Sequence, residues 1–167
     1  MSKAFTREDD TGDLPPAPVP VSLLPPGTRN YLTPEGQARL QAELTRLRDD
    51  ERPVLVEGSL RDPELRRELA QLDQRIRVLE RSLATAEVVP AEPAGNQVRF
   101  GNRVTVRDRK GELSTYRIVG ADEADFERNE VSWQSPIARA LLNARLGEQV
   151  AFKLPDGLTE LEIVKIE

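Results

Sequence analysis

Two leucine-rich runs between Leu40 and Ala86 constrain the fold of this chain more than any other feature of the sequence. In the second run the apolar residues recur at alternating spacings of four and three: Leu65, Leu69, Leu72, Ile76, Leu79, Leu83 and Ala86. The first run keeps the same phase at Leu40, Leu44, Leu47 and Val54. This is the a/d pattern of a coiled-coil seam, and it predicts two helices that pack along their length.

A short polar corner over residues 57–63 separates the two runs. Within it, Gly58 can end the first helix in the left-handed conformation. Asp62 can cap the second helix, with Pro63 in its first turn, where a missing N–H costs nothing. The corner therefore predicts the tip of an antiparallel hairpin, and this tip carries three acidic residues: Glu57, Asp62 and Glu64.

The boundaries of the two arms follow from helix start signals. Thr33 is a capping residue, and Pro34 suits the first helical position. We predict helices over residues 34–57 and 63–86, each about 36 Å long at ~1.5 Å per residue. Pro53 lies inside the first helix, and because proline removes a backbone hydrogen bond there, we predict a kink just before it.

Composition excludes several classes of chemistry. The chain contains no Cys and no His, which rules out disulfides, thiolate nucleophiles, cysteine or histidine metal sites and His-based triads. No apolar run approaches the ~20 residues that a membrane helix needs, and the N-terminus lacks the pattern of a signal peptide. We expect a cytoplasmic protein with no membrane partner.

The balance of charge favours a protein partner over nucleic acid. The 24 basic and 29 acidic residues are spread evenly along the chain. No segment stands out as a basic arm, and nonspecific DNA binding depends on neutralising phosphates. Apolar residues make up 38% of the chain and aromatic residues 4%, which is too little for one large globular core. A rod with one small domain fits these values.

Shifts in composition divide the chain into four segments. Residues 1–30 are acidic and then rich in proline, which predicts a disordered leader. Residues 31–89 form the predicted coiled-coil hairpin, and residues 90–97, which contain two prolines and a glycine, form a linker. Residues 98–167 form the predicted C-terminal domain.

From Val98 onward the period of the apolar residues changes to two, as in β-strands. Two hairpins are predicted, with strands over 104–106 and 115–119 and over 149–154 and 158–166, and a further short strand over 130–133. Ser135 can cap a short helix that starts at Pro136. The sequence thus predicts an α+β chain whose C-terminal domain is a bent antiparallel sheet with one short helix.

Three stretches of the sequence resemble the Gre family of bacterial transcript-cleavage factors (GreA and GreB type). They are Tyr31-Leu32-Thr33-Pro34-Glu35-Gly36 with Glu51-Arg52-Pro53, then Phe100-Gly101 with Tyr116-Arg117-Ile118-Val119-Gly120-Ala121-Asp122-Glu123-Ala124-Asp125, and Ser135-Pro136-Ile137-Ala138-Arg139-Ala140-Leu141-Leu142 with Leu146-Gly147-Glu148. The resemblance covers roughly residues 31–167. It implies an N-terminal coiled-coil hairpin and an FKBP-like C-terminal domain.

The resemblance also implies a partner and a mechanism. In that family the globular domain docks at the rim of the RNA polymerase secondary channel, and the hairpin enters the channel. Acidic side chains at the hairpin tip assist the magnesium of the polymerase active site in cutting backtracked RNA. Ser135 and Pro136 match family positions implicated in polymerase contact. The predicted docking segment consists of Ser135, Pro136, Ile137 and Arg139.

The sequence departs from the family at the tip, where no Gly-Asp-x-Ser-Glu-Asn-type motif is present. A deletion of about a dozen residues, about six in each arm, shortens the rod by ~9 Å. Catalytic metal ligands must lie within ~0.5 Å of their productive positions. A rod that ends ~9 Å short cannot place them there unless its docking also changes. We therefore predict a regulator of elongation with little or no stimulation of transcript cleavage. We expect it to be a monomer and not itself an enzyme. It has no catalytic residue or cofactor of its own, and it meets nucleic acid only through the polymerase.

Three alternatives stay open. The first is a cleavage-stimulating elongation factor in which Glu57, Asp62 or Glu64 helps to hold a Mg²⁺ ion shared with the polymerase active site. The second is an FKBP-like proline isomerase, although fold does not confer function, and one Trp and four Phe offer little for an aromatic substrate pocket. The third is a coiled-coil adaptor for another partner.

Overall fold

The structure, a computed structural model, describes residues 24, 25, 27–155 and 157–167. The predicted leader lies outside the described residues over 1–23 and at Pro26, as does Asp156 of the second predicted hairpin turn. Among the described residues, no helix is both long and apolar enough to cross a membrane. The chain is α+β, as the sequence predicts.

Helices dominate the first half of the described chain and strands the second half. The helices are α1 (Pro34–Thr45), a π-helical segment (Arg46–Glu51), α2 (Arg52–Ser59), α3 (Pro63–Thr85) and α4 (Pro136–Leu141). The strands are β1 (Asn30–Leu32), β2 (Ala86–Val88), β3 (Arg103–Asp108), β4 (Leu113–Val119), β5 (Glu130–Ser132), β6 (Gln149–Leu154) and β7 (Gly157–Ile166). A 3-10 turn, Ala121–Glu123, lies between β4 and β5.

The segments from α1 to α2 form one arm of a helical hairpin, and α3 returns alongside them. The buried residues between the arms are Leu32, Leu40, Leu44, Leu47, Leu72, Ile76 and Leu79. Two ion pairs cross from arm to arm: Arg75 donates two hydrogen bonds to Glu43, at 2.8 and 3.0 Å, and Arg52 Nε lies 2.7 Å from Asp73 Oδ1. Apolar contacts along the seam and charges beside it therefore hold the arms together.

The first arm contains the π-helical segment at the place where the sequence predicts a kink. Pro53 has no N–H to donate, and in a regular α-helix its ring would collide with the carbonyl of Asp49. The helix instead widens into a π turn, in which the Arg52 N–H donates to the carbonyl of Leu47, five residues earlier. Pro53 then lies in the first turn of α2, where it leaves no hydrogen bond unmade.

The π-helical segment also corrects one predicted seam position. The a/d spacing predicts Val54 in the seam, but Val54 is 68% exposed. Leu55 packs against the apolar cluster instead, and Ser59 is buried four residues later. A π turn spans one residue more than an α turn, so every later position shifts by one. The prediction for Val54 is wrong because the spacing rule assumes an unbroken α-helix.

Both predicted ends of the helical arms are wrong by one or two residues. The first arm continues to Ser59, and Gly58 does not adopt a positive φ. A Cβ atom on Gly58 would lie 2.6 Å from Leu65 Cδ1, so this glycine allows the two arms to approach closely near the tip. The second arm ends at Thr85, because Ala86 is already paired in β2.

A two-stranded parallel sheet of β1 and β2 joins the bases of the two arms, and the sequence does not predict it. Asn30 pairs with Ala86, and Leu32 pairs with Val88. Asn30, which composition assigns to the leader, is buried here. Strands of three residues are too short to show an alternating pattern, which is why the sequence does not reveal this sheet.

The helix starts lie where the sequence predicts them. Three side chains accept a hydrogen bond from the first turn of the helix that follows: Thr33 from the Gly36 N–H at 3.0 Å, Asp62 from the Glu64 N–H at 2.8 Å, and Ser135 from the Ala138 N–H at 3.2 Å. Proline follows each cap. Each cap satisfies a backbone N–H that has no partner within its own helix.

The C-terminal half of the chain folds around a five-stranded sheet with the order β5-β4-β3-β7-β6. Both predicted hairpins, β3 with β4 and β6 with β7, are antiparallel. The predicted antiparallel sheet is wrong at one edge, because β5 pairs with β4 in parallel. Residues 120–129 cross back between these two strands. An irregularity between Thr105 and Val106 shifts the β3–β7 register, and such bulges bend a sheet.

A second apolar cluster lies between this sheet and α4. Its buried residues are Val98, Val104, Val106, Ile118, Ala138, Leu141, Ala144, Val150, Leu161 and Ile163. The cluster shares no buried residue with the one between the helical arms. The described chain is therefore built on two apolar cores.

Candidate functional site

The predicted docking segment lies at the start of α4. Pro136 and Arg139 are exposed, whereas Ile137 packs against the apolar cluster of the sheet. Ser135 accepts the capping hydrogen bond from Ala138, which is fully buried. The structure thus presents Pro136 and Arg139 on a helix start that is held by a cap and by core packing.

Aromatic contacts connect the β-sheet half of the chain to the base of the hairpin, just before the docking segment. The Trp133 ring, which follows β5, meets the Tyr31 ring of β1 edge-on, with centroids 5.3 Å apart. Tyr31 also contacts Phe100, at a centroid distance of 6.0 Å. Trp133 is the single tryptophan of the chain, so its fluorescence reports on the contact between hairpin and sheet.

The structure places the three acidic residues of the predicted tip at the surface. Glu57, Asp62 and Glu64 are all exposed. Asp62 Oδ1 accepts the Glu64 N–H at 2.8 Å as a helix cap, and acidic residues in a first turn face the positive end of the helix dipole. In the part of the chain that the structure describes, no group of three or more Asp or Glu side chains could hold a metal ion.

The outward surface of the tip carries apolar side chains. Leu60 is 80% exposed, and Val54 and Val56 of α2, which leads into the tip, are exposed as well. Two hydrogen bonds hold the backbone underneath: Ser59 Oγ donates to the Val56 carbonyl at 2.9 Å, and Arg66 Nε donates to the Ser59 carbonyl at 3.0 Å. The tip therefore offers apolar groups on a hydrogen-bonded corner, beside exposed carboxylates.

A buried carboxylate, Glu123, lies where the base of the hairpin meets the sheet. The residue is 3% exposed. Its Oε1 accepts the Thr33 N–H at 2.8 Å and the Gly120 N–H at 2.7 Å, and its Oε2 accepts the Thr33 hydroxyl at 2.8 Å. A Cβ atom on Gly36 would overlap Oε2. We call Thr33, Gly36, Gly120 and Glu123 the Glu123 cluster.

Arginine residues cross the same junction. Arg39 of α1 donates to Glu130 Oε2 at 2.8 Å and to the Glu123 carbonyl at 3.2 Å. Arg117 of β4 donates to Glu35 Oε2 at 3.0 Å. The pKa of Glu35 lies below its ordinary value because its own backbone N–H at the helix start and the Arg117 guanidinium both donate to the carboxylate. These pairs join the first two turns of α1 to the sheet.

The C-terminal end of α3 is joined to the same 3-10 turn. Ser82 Oγ donates to Asp122 Oδ2 at 2.6 Å. The Asn30 amide nitrogen donates to Asp122 Oδ2 at 3.2 Å and to the Ser82 carbonyl at 3.0 Å. Two adjacent acidic residues of the turn thus bind the two arms. Asp122 contacts α3, and Glu123 contacts the start of α1.

Sequence reasoning did not identify these junction residues as functional. Asp122 and Glu123 lie inside a stretch that carries the Gre resemblance, but no local pattern shows that a loop carboxylate is buried. For Gly36, helix propensity predicts only a small loss of helix stability. The sequence does not show that Gly36 leaves room for the Glu123 carboxylate, because Glu123 is distant in sequence.

Hairpin, junction and sheet together define an α+β protein with a helical projection attached to a small β-sheet through buried acidic side chains. The family described as "Transcription elongation factor, GreA/GreB, C-term" matches residues 92–167. Transcription elongation factor GreB of Neisseria meningitidis serogroup B is 38% identical over 154 residues, which cover 84% of this chain and 94% of that protein.

Two further similarities extend the comparison. Transcription elongation factor GreA of Legionella pneumophila strain Paris is 35% identical over 155 residues, covering 84% of this chain and 97% of that protein. A crystal structure of GreA factor homolog 1 (Gfh1) of Thermus thermophilus matches with 26% sequence identity and a TM-score of 0.40. The match covers 84% of this chain and 99% of the Gfh1 chain. The sequence identities show that this chain belongs to the GreA/GreB family of transcription elongation factors, which confirms the resemblance found in the sequence.

Proposed function

We propose that this protein binds RNA polymerase at the secondary channel and regulates transcription elongation. The start of α4, with Ser135, Pro136, Ile137 and Arg139, contacts the polymerase, and the helical hairpin enters the channel as a coiled coil. The observation that carries the proposal is the identity to GreA and GreB elongation factors over 84% of the chain. The exposure of Pro136 and Arg139 on a fixed helix start supports the choice of docking segment.

The same proposal includes little or no stimulation of transcript cleavage. A metal-assisted reaction needs carboxylates that converge on the ion. Here the Asp62 carboxylate is engaged as a helix cap, and Leu60, in the same corner, exposes an apolar side chain. Any Mg²⁺ belongs to the polymerase active site, and the protein itself is not an enzyme.

We also propose the organisation of the chain in solution. A leader over residues 1–30 precedes the coiled-coil hairpin of residues 31–89, and a linker over residues 90–97 leads to an FKBP-like domain over residues 98–167. The protein acts in the cytoplasm as a monomer and meets nucleic acid only within the transcription complex. Two separate apolar cores, one between the arms and one behind the sheet, support this division.

Stalled, backtracked elongation complexes test the tip. We expect the protein to bind these complexes while 3′ transcript cleavage stays at the intrinsic rate of the polymerase, because the tip presents no convergent carboxylates. An authentic cleavage factor is the positive control, and added protein is expected to compete with it. Strong cleavage that is lost in a Glu57→Ala/Asp62→Ala/Glu64→Ala triple variant would instead establish the cleavage-stimulating alternative.

Retention on immobilised core RNA polymerase tests the docking segment. We expect Pro136→Ala to weaken retention without unfolding the protein, because Pro136 is exposed and alanine suits the first turn of a helix. Pro34→Ala is the matched control, since Pro34 is also an exposed first-turn proline, but of α1. Equal retention of both variants would argue against docking through α4, and no retention of the unchanged protein would favour the adaptor alternative.

A further inference from the structure

We propose that Glu123 is a positioning residue that holds the helical hairpin in one orientation relative to the docking helix α4. The carboxylate accepts two hydrogen bonds from Thr33, on the hairpin side, and one from Gly120, on the sheet side. A buried carboxylate is tolerated only where donors satisfy it. Since its donors come from both halves of the chain, the halves must stay together for the carboxylate to remain satisfied.

The Glu123 cluster is coupled directly to the start of the first helix. The Thr33 hydroxyl accepts the Gly36 N–H at 3.0 Å as the cap of α1 and donates to Glu123 Oε2 at 2.8 Å. One hydroxyl therefore fixes the beginning of α1 and its contact with the sheet. Gly36 is buried beside the carboxylate, and a side chain there would overlap it. The direction in which α1 leaves the sheet is thus defined at this cluster.

Further contacts fix the same direction from both arms. Arg39, a turn further along α1, bridges Glu130 and the Glu123 carbonyl. Ser82, near the end of α3, donates to Asp122. Because two arms are held at separate points, rotation of the hairpin about either contact is opposed by the other.

The length of the hairpin makes this orientation matter at the tip. The 23 residues of α3 span about 35 Å at ~1.5 Å per residue. A rotation of about 10° at the base would therefore displace the tip by about 6 Å, roughly one helical turn. If α4 docks at the channel rim, as proposed above, the Glu123 cluster decides where the tip arrives.

Distances between two spin labels test the proposal on the free protein. The chain has no Cys, so Leu60→Cys at the tip and Leu113→Cys at the start of β4 introduce labels at two exposed sites only. We expect one narrow distance distribution in the labelled parent. Because joined domains move relative to each other by default when their interface is weak, Glu123→Ala should widen the distribution by about twofold or more.

The conservative variant separates positioning from folding. In Glu123→Gln the amide oxygen can still accept both backbone N–H groups and the amide nitrogen can donate to the Thr33 hydroxyl, so we expect a narrow distribution. Glu127→Ala, an exposed glutamate four residues away, is the matched control and should leave the distribution unchanged. If Glu123→Ala does not fold, Thr33→Val, which keeps the shape and removes the hydroxyl, is measured in its place and should also widen the distribution.

In the label measurements, two outcomes would overturn the proposal. The first is a distribution in Glu123→Ala, or in its substitute Thr33→Val, that is as narrow as in the control. The second is a distribution in Glu123→Gln that is as wide as in Glu123→Ala. The label distances do not involve polymerase, so they hold or fail independently of the proposed function. With polymerase present, the proposal adds that Glu123→Ala stays bound through α4 but competes less well with a cleavage factor for the channel. Undiminished competition would show that the polymerase, and not Glu123, sets the orientation.

Discussion

Replacing Gly120 by alanine is expected to destabilise the protein by about 3 kcal/mol, since an extra methyl group in a packed site forces the backbone to shift. Gly120 has an ordinary extended conformation, with φ −65° and ψ 158°, so the loss is not one of backbone strain. The added Cβ would overlap the carbonyl oxygen of Tyr31 and lie 3.0 Å from Leu32 Cδ2. A backbone carbonyl cannot rotate away as a side chain can, so β1 must leave its place.

Urea denaturation followed by Trp133 fluorescence measures this effect. Trp133 contacts Tyr31, so the emission of the native variant is also expected to change before any denaturant is added. Gly95→Ala is the matched control, because its Cβ would come no closer than 4.0 Å to a neighbouring atom, the carbonyl oxygen of Pro93. A free energy of unfolding for Gly120→Ala equal to that of Gly95→Ala would show that β1 and the 120 loop are not packed as described.

Replacing Leu79 by alanine is expected to lower the free energy of unfolding by about 3 kcal/mol, within the usual range for a buried leucine. Leu79 is 1% exposed and belongs to the apolar cluster between the arms. Removal of its side chain leaves a cavity that the other members of the cluster cannot fill without moving. The loss should fall on the helices, because the core behind the sheet does not include Leu79.

Far-UV circular dichroism during denaturation isolates the helical signal and measures the Leu79 effect. Leu60→Ala is the matched control within the same hairpin, since Leu60 is exposed at the tip, and surface substitutions of this kind stay within about 0.5 kcal/mol. If Leu79→Ala cost no more than Leu60→Ala, the helical arms would not be packed through this seam. The expected ordering thus tests the packing of the hairpin without reference to its function.

The helix starts were predictable because their signals are local. Thr33, Asp62 and Ser135 each accept a hydrogen bond from two or three residues downstream. Such contacts need no tertiary structure, and the same holds for the alternation that marks the two β-hairpins. Family membership could be found in the sequence for a related reason, since a motif such as residues 135–142 is contiguous.

The predictions that are wrong concern an irregular helix and a pairing between strands separated by a long crossing segment. Spacing rules describe regular elements, so they fail at both places. The seam position moves from Val54 to Leu55 because the π-helical segment adds a residue ahead of Pro53. The edge strand β5 is parallel because residues 120–129 pass across the sheet before it pairs. Neither the widened turn nor the crossing has a repeating pattern that spacing rules can detect.

The residues of the candidate sites also fall into two groups, those predicted from the sequence and those that only the structure shows. The docking residues Ser135, Pro136, Ile137 and Arg139, and the acidic residues of the tip, were proposed from sequence and stay predictions until polymerase assays are made. The structure adds where they lie: Pro136 and Arg139 are exposed, Ile137 packs against the core, and the tip carboxylates are exposed. It also adds Glu123 and its neighbours at the junction.

The sequence by itself determined the α+β class, the helix starts, the two β-hairpins and membership of the GreA/GreB family. Each of these is written in residues that lie close together along the chain. Only the tertiary structure decided how the hairpin joins the sheet, because Thr33 and Glu123 are 90 positions apart. A carboxylate becomes buried and satisfied only when chain segments that distant meet, and no spacing in the sequence shows which segments will do so.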